Sequence, residues 1–302
     1  IKNSNIGIKD GFIEFVNASD KELELFEADK IINGSHKLAM PGLVNAHTHC
    51  AMTLLRNYAD DIPLKGWLFD RIFPVEAGLS SDDIYWGTLL GIMEMIRSGT
   101  TAFADMYLHM DSVARAVIET GIRANLSRNP VKFTEENKCG FRDDSEGCFE
   151  YFRTWNGQAG GRIRVYIEVH SVYLFDEASL KNAAELASNC KTGIHIHLLE
   201  TRGEREECVS KYGIDPAELC YKCGIFDLPT IAAHCVHLSE RDIEILKEKN
   251  VNVVHNPTSN LKLGSGIARI PCMTERGIRV ALGTDGAASN NNLNMFEEMH
   301  IA

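Results

Sequence analysis

The sequence predicts an α/β protein built as a closed (β/α)8 barrel of the TIM type, and three observations carry that expectation. Strand-like and helix-like segments alternate from about residue 41 to the end, the rhythm of parallel βαβ units. Eight of these segments are strand-like, the number such a barrel needs. The chain has 302 residues, room enough for a fold that typically takes about 250. A doubly wound open sheet shares the rhythm, but count and length favour the barrel.

Residues 1 to 40 are short, strand-like and turn-rich, with Asp10-Gly11 between Ile8 and Phe12-Ile13 reading as a hairpin turn. Pro41-Gly42 then punctuates the chain. The first barrel strand is Leu43 to His47, and the second is Thr100 to Ala104. Arg123 to Leu126, Ile163 to Val169 and Gly193 to Leu198 follow. Thr230 to Cys235, Val251 to Val254 and Arg279 to Leu282 complete the set. Between them, Ser80-Ser81 caps a helix over Asp82 to Arg97, a second helix covers Ser112 to Thr120, and Ser239 caps a third over Glu240 to Glu248. Met93-Glu94-Met95 reads as helix core, and Leu293 to Ala302 reads as a helix start.

The formal net charge of −11 argues against nucleic acid as a partner, because phosphate binding needs a basic patch. No apolar run is long enough to span a bilayer, and the polar start at Ile1-Lys2-Asn3-Ser4 is not a signal peptide. The nine cysteines are scattered, odd in number and often inside apolar runs, which predicts buried thiols in a reducing, cytoplasmic setting. A homo-oligomer is left open.

Polar residues gather at the predicted C-terminal strand ends, the face where catalytic groups of a barrel converge. His47-Thr48-His49 closes the first strand, His170 the fourth, and His195-Ile196-His197 the fifth, with Glu200 just beyond. His234 lies late in the sixth, and Asp285 follows the eighth. On a strand, positions i and i+2 project to one side, so His47 and His49 can grip one cation. His197, nearer the mouth than His195, and Asp285 complete a nitrogen-and-oxygen set suited to one divalent metal, zinc before iron. The bland readings are hydrogen-bonded histidines, a surface Glu200 and a turn Asp285. They weaken because all these residues fall in register with one barrel mouth. His195 is expected to pack behind the ligands. His36, His109 and His300 are expected at the surface, and His237 and His255 as structural residues. A second zinc-site pattern, His-x-Glu with Pro-Cys-x-x-Cys, is absent; Cys220 to Cys223 read as helix-borne thiols that bind nothing.

Pro41-Gly42-Leu43-Val44-Asn45-Ala46-His47-Thr48-His49 resembles the opening motif of the amidohydrolase superfamily. Ala51 to Arg56, Ala59 to Leu64, His195 to Thr201, Ala232 to Leu238, His255-Asn256-Pro257, Ser259 to Gly264 and Gly283 to Asn291 resemble one branch of it. That branch contains the 5'-methylthioadenosine/S-adenosylhomocysteine deaminases and the 5'-deoxyadenosine deaminases. The resemblance implies a small β-sandwich with residues 1–40 as part of it, a barrel over 41–302, and final sandwich strands absent from the sequence shown. It implies one metal held by His47, His49, His197 and Asp285, with Glu200, His234 and Asp285 serving the chemistry. It also implies substrate contacts at Glu76, Arg128, His170 and Glu200, with Arg142 as a second arginine for a substrate carboxylate.

The implied reaction is hydrolytic deamination of an adenosine-type nucleoside to the inosine-type product and ammonia. The candidates are 5'-methylthioadenosine, S-adenosylhomocysteine, 5'-deoxyadenosine and adenosine. Two alternatives stand beside it: another amidohydrolase reaction (guanine or cytosine deamination, or triazine dechlorination), and a metal-binding relative without catalysis. Glu76 and Arg128 favour the nucleoside, since a bare base has no diol for Glu76. The retained Glu200, His234 and Asp285 disfavour a purely structural metal.

Overall fold

The computed structural model describes residues 4–133 and 141–302. The chain divides into two compact units, Ile1–Pro41 and Gly42–Ala302. In the first, β1 (Ile6–Lys9) pairs antiparallel with β2 (Phe12–Val16). Both turn residues, Asp10 at φ 51° and Gly11 at φ 81°, are left-handed, as a tight hairpin of matching twist requires. A short helix, Asp20–Glu24, follows behind a Ser19–Glu22 capping box.

The second unit is a (β/α)8 barrel. Its strands are β3 (Leu43–Thr48), β4 (Thr100–Met106), β5 (Arg123–Arg128), β8 (Ile163–Val169), β9 (Ile194–Leu198), β10 (Thr230–His234), β11 (Asn252–His255) and β12 (Val280–Leu282). They form one sheet in the order β12-β11-β10-β9-β8-β5-β4-β3, every adjacent pair parallel. The missing numbers belong to a side hairpin, β6 (Val131–Phe133) with β7 (Phe141–Asp143). The ends of the sheet meet beyond β12. Asp285 N donates to His47 O at 3.0 Å, and Asn45 Nδ2 donates to Thr284 Oγ1 at 2.7 Å. Gly283 makes this approach possible: a Cβ there would lie 2.8 Å from His47 N and 2.9 Å from His47 O.

Each of the eight strand-like segments beyond residue 41 holds a barrel strand, whereas residues 1–40 hold, among the described residues, only β1, β2 and the short helix. β4 and β5 each run two residues further than expected, to Met106 and Arg128. The helix Ser81–Arg97 starts at Ser80 with an Asp83 capping box, and Glu240–Glu248 starts at Ser239 with Asp242. The helix Met110–Thr120 begins two residues early, behind a left-handed His109, and stops at left-handed Gly121. Met95 is core, but Met93 on the opposite face is 51% exposed, because neighbours two apart on a helix face different ways.

The core lies between the sheet and its helices. Helix Glu177–Cys190 turns Leu180, Ala183 and Ala187 toward Ile167, Ile194 and Ile196. Helix Ser81–Arg97 brings Ile84, Ile92 and Met95 against Phe103, Val113 and Val117. These outward strand residues free the inward ones for polar work. Of the eight described cysteines, seven are buried and Cys272 is half-buried. Among the described residues, no helix is long and apolar enough to cross a membrane.

Candidate metal centre

β3 carries His47 at an inward position, and His49 follows where the strand gives way to the 3-10 segment Cys50–Leu55. β9 brings His197, and the turn after β12 brings Asp285. One ligand atom from each of these four side chains lies within 4.8 Å of the other three. His47 Nε2 and His49 Nε2 stand 3.2 Å and 3.1 Å from Asp285 Oδ1, and His49 Nε2 stands 3.2 Å from His197 Nε2.

Each ring is fixed through its far nitrogen. His49 Nδ1 donates to Met106 O at 2.5 Å, and His197 Nδ1 donates to His170 O at 2.7 Å. His47 Nδ1 lies 2.9 Å from His195 Nε2, and His195 Nδ1 lies 3.3 Å from Ser127 Oγ. A proton on each Nδ1 satisfies that whole relay and leaves the Nε2 lone pairs of His47, His49 and His197 facing the centre. Asp285 is held the same way: Ser259 Oγ and Ser289 Oγ donate to Oδ2 at 2.6 Å and 2.7 Å. Its Oδ1 and His47 Nε2 are buried without a hydrogen-bond partner among the described residues. Orphaned buried polar atoms are rare, and here they converge on one point. This donor set fits a divalent cation, with the back-side bonds that orient metal-ligating imidazoles.

Electrostatics agree. Burial, outweighing Asp285, holds His47 down at about 4, and burial with neighbouring imidazoles pushes His197 well below the ordinary histidine value. Both are therefore neutral at pH 7. Burial alone would raise Asp285, but His47 and His49 outweigh it and keep the carboxylate ionised. Burial pulls His49 down while Asp285 lifts it to about 9, so a proton and a cation compete for the same Nε2 lone pair.

Beside the centre, β10 ends at His234, whose Nδ1 lies 2.8 Å from Asn260 Oδ1. His234 Nε2 is 3.8 Å from Glu200 Oε2, and Glu200 Oε1 accepts from Ser265 Oγ at 3.1 Å. Burial raises the Glu200 carboxyl against the pull of His234, which suits a group that carries a proton. Backbone strain is present here: Leu199 (φ 49°), His234 (φ 71°), Cys235 (φ 50°) and Asp285 (φ 62°) are left-handed, each at about 1–3 kcal/mol.

The other expected contacts are less uniform. Glu76 is buried near the centre's rim, with Oε1 unpartnered among the described residues and its carboxyl raised by burial. The His170 ring packs against His197 at a tilt of 49°, with ring centroids 4.7 Å apart. Arg128 ends β5 but is bonded to Asp144 at 2.8 Å. Arg142 is exposed on the β6–β7 hairpin and not at a barrel strand end. His195 packs behind His47. His36, His109 and His300 are exposed; His237 bonds Ser265 O at 2.7 Å, and His255 is buried.

Sequence reasoning missed Glu204, Ser259 and Ser289. Glu204 accepts from Leu199 N at 2.9 Å and Glu200 N at 3.1 Å, clamping the strained turn that aims Glu200. Its only sequence signal is the run Glu200-Thr201-x-x-Glu204, in which Thr201 caps helix Arg202–Tyr212.

The Amidohydrolase family matches residues 38–302. The chain is 62% identical over 302 residues to a 5-methylthioadenosine/S-adenosylhomocysteine deaminase of Acetivibrio thermocellus, covering all of this chain and 69% of that one. A deaminase of the same name from Thermoanaerobacter pseudethanolicus is 50% identical over 304 aligned positions, again with 69% of its length covered. Among solved structures, a zinc-bound adenosine deaminase from Xanthomonas campestris superposes with a TM-score of 0.85 at 32% identity, over 99% of this chain and 68% of that one. A guanine deaminase from C. acetobutylicum with bound guanine gives 0.87 at 26% identity, over 100% and 74%. With the family match running through the whole barrel and all four candidate ligands, the chain belongs to the amidohydrolase family.

Proposed function

We propose that this chain is a metal-dependent hydrolytic deaminase that converts an adenosine-type nucleoside to its inosine-type product and ammonia. The observation that carries the reading is the convergence of His47, His49, His197 and Asp285 on one point, with Glu200 and His234 alongside. It is supported by relatives named for 5-methylthioadenosine and S-adenosylhomocysteine, and by the adenosine deaminase likeness. Zinc is the proposed cation, in keeping with the three-imidazole, one-carboxylate donor set and the zinc of that solved relative; iron is the alternative. Residues 1–40 are proposed as part of a small β-sandwich.

His47, His49, His197 and Asp285 would hold a divalent cation, which would supply a nucleophile at neutral pH by lowering the pKa of water to about 7. Asp285, ionised and anchored by two serines, accepts the proton of the attacking water. His234, fixed by Asn260, hydrogen-bonds the oxygen as it adds to C6 and the charge that develops there. Glu200 delivers a proton to N1, Asp285 passes the proton taken from water to the departing amine, and Glu200 regains its proton from the hydroxyl of the adduct as the C6–N bond breaks. Glu76 accepts from the ribose diol, and His170 closes the base side of the pocket. Arg128, already offset by Asp144, is a weaker carboxylate anchor than a free arginine.

The test is steady-state kinetics on 5'-methylthioadenosine, S-adenosylhomocysteine, 5'-deoxyadenosine and adenosine, following ammonia release and the adenine-to-hypoxanthine absorbance change. Turnover of at least one, dependent on a divalent metal, is expected. Activity on guanine with none on the four nucleosides would replace the reading.

A further inference from the structure

Glu168 takes no part in the scheme above. It lies on β8, one residue before the strand's last residue, Val169. Its Cα partner on β9 is His195, whose ring contacts His47 Nδ1 and Ser127 Oγ inside the barrel. Glu168 therefore points inward, level with His195. It is 5% exposed. Its Oε1 accepts from Asn129 Nδ2 at 3.3 Å, while its Oε2 has no hydrogen-bond partner among the described residues. The charged groups it feels include His49 and Glu76, which border the proposed substrate pocket.

A buried carboxyl inside a barrel is a poor packing choice, and leaving one oxygen unpaired makes it worse. A bound molecule that supplies the missing partner accounts for it. We propose that Glu168 is a specificity-determining residue that touches the substrate: its Oε2 hydrogen-bonds a purine ring nitrogen, N3 or N7, while Asn129 holds the carboxyl in orientation. This rests on the nucleoside deaminase reading. N1 and C6 are taken up by Glu200 and the metal centre, which leaves those two nitrogens as the acceptors of the base. Burial raises the Glu168 carboxyl to about 8, so near neutral pH it carries the proton that such a bond requires.

The experiment compares wild type, Glu168→Gln, Glu168→Met and Asn129→Ala on adenosine, 3-deazaadenosine and 7-deazaadenosine, with metal content measured on each protein. On adenosine, Glu168→Met is expected to lose about tenfold or more in kcat/KM, and Glu168→Gln, which keeps an N–H donor, to stay within about threefold. On the one analogue that lacks the partner nitrogen, the Glu168→Met loss should largely vanish. Asn129→Ala should repeat that analogue pattern with a smaller loss, and it carries the test if Glu168→Met does not fold. Equal losses on both analogues, or no loss on adenosine, would overturn the proposal. A wild type that deaminates no nucleoside would instead sink the deaminase reading, and this proposal with it.

Discussion

At His197 the two ring nitrogens have separate tasks: Nδ1 donates to the His170 carbonyl, and Nε2 faces His49. The same division holds at His47, His49 and Asp285, so each donor is aimed before any ion arrives. Glu200 stands outside that set. Glu200→Gln is expected to bind as much metal as wild type while kcat falls by about 10²-fold or more, checked by metal analysis beside ammonia release. An unimpaired variant would remove Glu200 from the chemistry. Glu168 offers a pH test at this scale. Its carboxyl is raised from an ordinary 4.5 to about 8 by burial. Between those values the folded protein holds a proton that the unfolded chain releases, so its contribution to stability is greatest at low pH and declines as pH rises through the window. Glu168→Gln removes that decline. The variant's melting temperature, relative to wild type, should climb between pH 5 and 8; a constant offset would contradict the assignment.

Between elements, the decisive contact is where β12 returns to β3. Gly283 lies so close to the His47 backbone that a side chain there has nowhere to go, with Asn256 Oδ1 2.6 Å from an added Cβ. Gly283→Ala should push the turn carrying Asp285 away from His47, destabilising the protein by about 1–3 kcal/mol and reducing metal retention. Thermal melting with metal analysis checks both, and a variant with wild-type metal content would show that the ring tolerates opening. Elements of this kind were only partly legible in the sequence. The strand rhythm, the Ser80 and Ser239 caps and the His47-x-His49 pair are local patterns, and local patterns survive in one dimension. The Asp285–Ser259 bond joins residues 26 apart, the Arg128–Asp144 bond 16 apart, and Glu168 looked like one more strand residue. Their roles arise only when strands lie side by side. Resemblance placed Arg142 among the substrate contacts, whereas the hairpin leaves it exposed.

Across the whole barrel, six strands or strand ends contribute to one polar cluster: β3, β9, β10, the turn after β12, and β4 and β8 through the Met106 and His170 carbonyls. Such a cluster stabilises the fold when filled, because an ion that binds only the native state adds about 2.7 kcal/mol at a hundredfold excess over its Kd. Chelation should therefore lower the melting temperature, and added zinc should restore it together with activity; an unchanged melt would mean the ion does not bind this cluster. The central claim is that four side chains share a single cation. Anomalous X-ray scattering at the zinc edge, on crystals of zinc-loaded protein, tests it most directly. One peak is predicted, about 2.0–2.2 Å from Nε2 of His47, His49 and His197 and from Oδ1 of Asp285. A peak that leaves any of these four unligated, or no peak among them, would contradict it.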